Sequence, residues 1–123
     1  MKYSKLIFLL ILFPSCREKY CVEDKGIKYV FFKNVNNVEN SIPQEAIDGE
    51  TYLSLFFLES LTGISSSVNY GDVSFYKNQE DINRDSNHWK KWYEKNKCRL
   101  KKQELDSLQD KIKSSNPWIN IDR

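Results

Sequence analysis

The chain has 123 residues, 40% hydrophobic and 29% charged, with 19 basic side chains against 17 acidic ones. That composition excludes a disordered or low-complexity chain and fits one small domain. Near-balanced charge, and lysines with no recognition motif around them, argue against a nucleic-acid partner. With four glycines and no glycine-rich loop, a phosphate cradle is not expected either.

At the N-terminus, Lys2 and Lys5 precede an unbroken apolar run over residues 6–13, and Pro14, Ser15 and Cys16 come next. A positive start, a short apolar stretch and a small residue before the cut are the parts of a secretory signal peptide. Eight helical residues span roughly 12 Å against a hydrocarbon core of about 30 Å, so the run is too short to cross a bilayer. Residues 1–15 are therefore read as a removed signal. Phe13-Pro14-Ser15-Cys16 resembles the lipobox of bacterial lipoproteins, in which a small residue precedes an invariant cysteine. In this box Phe13 stands where the family usually has leucine, and Pro14 is uncommon. The resemblance implies a diacylglycerol on the Cys16 sulfur, a cut just before it, and anchorage to a membrane of the cell envelope. The alternative is plain secretion, with Cys16 an ordinary cysteine. The resemblance covers sixteen residues and implies an address rather than an activity.

Loss of Lys2 and Lys5 leaves a mature part, residues 16–123, with equal numbers of acidic and basic side chains. The charge is unevenly spread. Residues 16–86 hold 7 basic and 12 acidic side chains, and residues 87–123 hold 10 basic and 5 acidic ones. Either the basic part meets an anionic partner such as a phospholipid headgroup, or the two parts complement each other within one fold. The second is the simpler expectation. Cys21 and Cys98 remain after Cys16; in an oxidising compartment they are a candidate disulfide, and two unrelated thiols are the alternative.

Residues 16–26 are mostly charged and read as a short tether ending at Gly26, with a single domain over residues 27–123. Residues 27–32, Ile-Lys-Tyr-Val-Phe-Phe, suit a short strand or the first turns of a buried helix. Residues 34–40, with four asparagines, read as a loop. Ser41, Pro43 and Gln44 resemble a helix start, although Gly49 weakens the middle of that segment and the main helix is better begun near Glu50. From Tyr52 to Leu61 the residues are apolar on all sides, which predicts a central buried helix, ended by Gly63 in a left-handed conformation. Residues 64–86 are polar with turn signals, and residues 73–76 suit a short strand. Asp85 or Ser86 is expected to cap the next helix, on which Trp89, Trp92 and Tyr93 share a face. Leu105, Leu108 and Ile112 form a second stripe out of phase with the tryptophans, so a break is expected between about Asn96 and Lys102. Asn116-Pro117 ends the last helix, and residues 118–121 form an apolar tail expected to dock. The fold class expected is mainly α, a small helical domain with a short strand or two.

Residues 57–64, a polar loop, and then the Trp-Lys-Lys-Trp-Tyr helix together resemble a pattern in small exported bacterial proteins of no assigned activity. Similar Trp-x-x-Trp-Tyr helices close some HEAT-like helical-repeat proteins. The resemblance implies that the tryptophan helix packs on the Phe56 helix. It carries no catalytic residue.

The chemistry visible in the sequence is sparse. His88 is the only histidine, and neither a catalytic partner nor a metal-ligand set stands at a workable spacing. Capping or packing suffices for it. Trp89, Trp92 and Tyr93 form a candidate binding surface for sugar rings, but aromatics at helical spacing more often build a core. Glu59 lies in the most apolar helix, where a buried carboxylate would mark a functional site and a solvent-facing slot is the simpler account. No catalytic residue, metal or cofactor is expected. Two classes of function fit this pattern. One is a lipid-anchored, non-catalytic binding domain, accessory or immunity-type, with a protein partner. The other is a small envelope hydrolase or sugar-binding module using His88, Trp89, Trp92 and nearby aspartates.

Overall fold

The computed structural model describes residues 21–119 of the chain. The signal at residues 1–15, Cys16 and the tether as far as Tyr20 lie outside them, as do Asn120 and Ile121 of the tail. The described residues form a small all-α domain of four helices: α1 (Lys25–Glu39), α2 (Gly49–Thr62), α3 (Gln79–Asn96) and α4 (Lys102–Ser115), with a 3₁₀ turn at Lys97–Arg99 between the last two.

The first helix starts within the stretch read as a tether. Asp24 Oδ1 accepts hydrogen bonds from the backbone N–H groups of Gly26 (2.8 Å) and Ile27 (3.0 Å), a standard N-cap. The helix settles the ambiguity over residues 27–32 and corrects the loop expected at residues 34–40. Ile27, Val30, Phe31, Asn34, Val35 and Val38 are buried, at the spacing of one helical face that runs through the asparagines. Burial of that stripe outweighs the weak helix propensity of asparagine. Two of the amides are also satisfied: Asn34 Nδ2 donates to the Val30 carbonyl at 2.8 Å, and Asn37 Nδ2 to Ser54 Oγ at 2.9 Å.

No helix starts at Ser41. Gln44 has φ of 70°, a left-handed backbone that cannot continue a right-handed helix. Its N–H donates to the Tyr76 carbonyl at 2.8 Å, and Ile47 N–H to the Ser74 carbonyl at 2.9 Å, so this connection is tied to the later loop. Helix α2 is capped by Asp48, whose Oδ1 accepts from Thr51 N–H at 2.8 Å. Gly49 is thus its first residue and weakens nothing. Gly63 ends the helix at φ 72°, its N–H donating to the Glu59 carbonyl, as the sequence predicts.

The strand expected at residues 73–76 reduces to one antiparallel bridge between Asn69 and Phe75, the only strand-like pairing among the described residues. Asn78, not Asp85 or Ser86, caps α3, accepting from Asp81 N–H at 2.9 Å. The two residues expected as caps lie buried inside α3, on a stripe with Ile82, Trp89 and Tyr93. The break between Asn96 and Lys102 is present, and Leu105 and Ile112 of α4 are buried beyond it.

Helices α1 and α2 form the centre of the domain, with α3 laid mainly on α1 and α4 mainly on α2. The tryptophan helix therefore packs chiefly on α1 rather than on the Phe56 helix. Phe31 stacks on Tyr93 at a ring-centroid distance of 4.8 Å and on Trp92 at 6.2 Å, and Phe32 meets Tyr93 edge-on at 5.1 Å. The link to α2 is narrower: Trp89 Nε1 donates to the Ile64 carbonyl, just past that helix, at 3.3 Å.

Candidate functional site

Two acidic side chains organise the long loop between α2 and α3. Asp85, on α3, is buried. Its Oδ2 accepts from Ser67 N–H at 2.7 Å and from the Tyr76 hydroxyl at 2.9 Å, and its Oδ1 accepts from Ser67 Oγ at 2.8 Å. Glu59, on α2, accepts from Ser66 N–H at 2.9 Å and from the Tyr70 hydroxyl at 2.7 Å. The two carboxylates thus hold successive amides, one from each side. Arg84 closes the outer edge, donating to Ser67 Oγ and to Asp81, each at 2.8 Å. Burial pushes the phenol pKa of Tyr76 well above its ordinary value, reinforced by the neighbouring Asp85. Burial raises Tyr70 as well, with Glu59 adding to the effect. Every oxygen of these carboxylates accepts a hydrogen bond from the loop, which pins it at Ser66, Ser67, Tyr70 and Tyr76.

The fixed loop presents Tyr70 beside α2, where it completes an aromatic face. Tyr70 stacks on Phe56 at 6.4 Å and lies 6.5 Å from Tyr52; Tyr52 and Phe56 are 5.9 Å apart; Trp118, beyond α4, meets Tyr52 edge-on at 6.1 Å. Trp118 is 65% exposed and Tyr70 47%. An open groove of about 600 Å³ runs on from Phe56 between α2 and α4, with Glu59 and Lys111 on its walls and Leu108 and Ile112 on its floor. Tyr52 and Phe56 are half-buried beneath Tyr70 and Trp118, so the face turns mainly those two rings to solvent.

The residues nominated from sequence lie elsewhere. Trp89 and Tyr93 have no accessible surface, so neither belongs to a binding surface; both are core. Trp92 is half-buried against Phe31. The Tyr93 hydroxyl donates to Glu23 at 2.8 Å, and that bond, with Lys28 nearby, holds the Glu23 carboxyl below its usual range. His88 is exposed, and among the described residues no group of three His, Cys, Asp or Glu side chains is placed to hold a metal ion. Cys21 and Cys98 are joined as a disulfide with a Cα–Cα distance of 5.7 Å, tying the residues before α1 to the 3₁₀ turn. Cys16 lies outside the described residues. No helix among them is long and apolar enough to cross a membrane.

The aromatic face escaped the sequence reading, although its signal was present. Tyr52 and Phe56 stand at i and i+4 on a helix that is apolar all round. Three partner helices in so small a domain cannot cover every side of it, and this side is left to Tyr70 and Trp118. No protein-family model matches the chain, and no curated protein or solved structure is significantly similar to it.

Proposed function

We propose that this protein is a small lipoprotein of a bacterial cell envelope, held at a membrane by lipid on Cys16, whose domain is a non-catalytic binding module for a protein partner. The observation that carries the binding role is the aromatic face beside the α2–α4 groove, where exposed Tyr70 and Trp118 flank half-buried Tyr52 and Phe56. Aromatic side chains with a polar tip are the residues that dominate protein interfaces, because they contribute large contact area at small entropic cost. A mixed-charge rim, with Glu59 and Lys111, suits a protein surface better than a lipid one. The address comes from the N-terminal sequence, and the Cys21–Cys98 disulfide supports it, since such bonds persist outside the reducing cytoplasm. The accessory and immunity-type readings share this chemistry.

A photo-crosslinking amino acid placed at Trp118 in cells tests the binding role. The reading expects one discrete adduct with a protein, lost on Tyr52→Ala plus Tyr70→Ala and absent when the cross-linker stands at exposed His88. Adducts of equal yield at both positions would count against it. The hydrolase or sugar-binding alternative drew on His88, Trp89, Trp92 and nearby aspartates; the fold encloses Trp89 and commits Asp85 to Ser67 and Tyr76, and no observation favours it.

A further inference from the structure

Two features of the domain meet at one end. The first is covalent. Cys98 is bonded to Cys21, only five residues from Cys16, at a Cα–Cα distance of 5.7 Å, so on the lipoprotein reading Cys21 lies within roughly 17 Å of the lipid attachment and the 3₁₀ turn within roughly 23 Å, whatever path the intervening residues take. The second is charge. Residues 95–102, Lys-Asn-Lys-Cys-Arg-Leu-Lys-Lys, carry five basic side chains and no acidic one. Glu94 pairs with Lys97 at 2.9 Å and Asp106 with Lys102 at 2.7 Å, while Lys95, Arg99 and Lys101 have no ion pair among the described residues. The first turn of α1 adjoins this end, since a Cβ on Gly26 would stand 3.3 Å from Lys102 Cε. That turn adds exposed Lys25. Its Lys28 is paired with Glu23 at 3.6 Å, and Asp24 is occupied in capping. Exposed apolar side chains flank the basic ones: Val22, 89% exposed, next to the disulfide, and Tyr29, 67% exposed, one turn on from Lys25.

We propose that this basic end is a seat for the anionic phospholipid headgroups of the membrane that holds the anchor. The inference rests on the lipoprotein reading for its placement but not for its chemistry. Clusters of Lys and Arg beside an anchor bind anionic headgroups, with tyrosine at the interface depth. The acyl chains hold the protein; the seat fixes how it stands. Helix α4 starts at this end and runs fourteen residues, about 21 Å, so the Trp118 face beyond its far end points away from the bilayer, towards a partner.

The test is cosedimentation of the mature chain, residues 16–123, kept oxidised and carrying Cys16→Ser so that no acyl chain contributes. Vesicles of phosphatidylcholine alone are compared with vesicles containing about 30% phosphatidylglycerol. Binding is expected only to the anionic vesicles and is expected to be lost between about 0.1 M and about 0.5 M salt. Lys95→Ser, Arg99→Ser and Lys101→Ser together should weaken it roughly a hundredfold, at roughly fivefold per basic residue. Removing three charges elsewhere, with Lys33→Ser, Lys77→Ser and Lys113→Ser, should leave it within a few-fold. Equal binding to neutral vesicles, or equal loss in the two triple variants, overturns the seat. Mass analysis of Cys16 in protein extracted from membranes reads the anchor separately: an unmodified cysteine together with selective vesicle binding would fail the lipoprotein reading and leave the seat standing.

Discussion

Asp85→Ala is the substitution the domain should tolerate least for its size. The carboxylate is 3% exposed and accepts three hydrogen bonds, from Ser67 N–H, Ser67 Oγ and the Tyr76 hydroxyl. Alanine removes the acceptor and leaves the Tyr76 hydroxyl, with no accessible surface, and the half-buried Ser67 N–H without partners. Each stranded donor costs about 1–3 kcal/mol, so the expected loss is about 3–5 kcal/mol, a large part of a small domain's stability. Asp85→Asn keeps an acceptor on the Tyr76 side and an amide facing Ser67 Oγ, so it should cost only about 1–2 kcal/mol. Tyr76→Phe, made in both backgrounds, completes a cycle and should cost much less when Asp85 is already alanine. Urea unfolding monitored by tryptophan fluorescence measures all four variants. If Asp85→Ala unfolds within about 1 kcal/mol of the parent, the carboxylate does not fix the loop.

Other outcomes derive from the same structure. Trp89→Ala, at a site with no accessible surface, should cost about 3–5 kcal/mol in the same assay, and a parent-like midpoint would return Trp89 to the surface. Reducing Cys21–Cys98 reopens a loop of 77 residues and should lower stability by about 4.5 kcal/mol if loop-closure entropy dominates; an unchanged midpoint would contradict that. The phenols of Tyr76 and Tyr93 are raised in the fold, chiefly by burial, so their contribution is complete below the ordinary phenol pKa of about 10 and is lost as pH rises beyond it. Unfolding free energy should therefore stay level through pH 9 and fall above about pH 10, and a stability that rises there would refute the assignment.

Much of the helical framework was legible because it rests on local signals. The Leu105–Ile112 stripe out of phase with Trp89 located the break at residues 97–101, and Gly63 located the end of α2. The asparagines of α1 misled because their propensity points to a loop, while the burial of Val35 and Val38 decides for a helix. Asp85 misled because an acidic residue near a helix start reads as a cap, whereas its three donors come from residues 9 to 18 positions away in the chain. The same non-locality hid the aromatic face: Tyr52 and Phe56 are neighbours on one helix, but Tyr70 and Trp118 reach them only through the folded loop and the end of α4.

The anchor on Cys16 underlies both the address and the orientation proposed for this domain. Cells grown with a clickable palmitate analogue and then fractionated into membrane and soluble parts test it most directly. The account predicts a labelled band in the membrane fraction for the parent protein, and for Cys16→Ser no label. Equal labelling of both, or a parent protein that is unlabelled and released from membranes by salt alone, would contradict it.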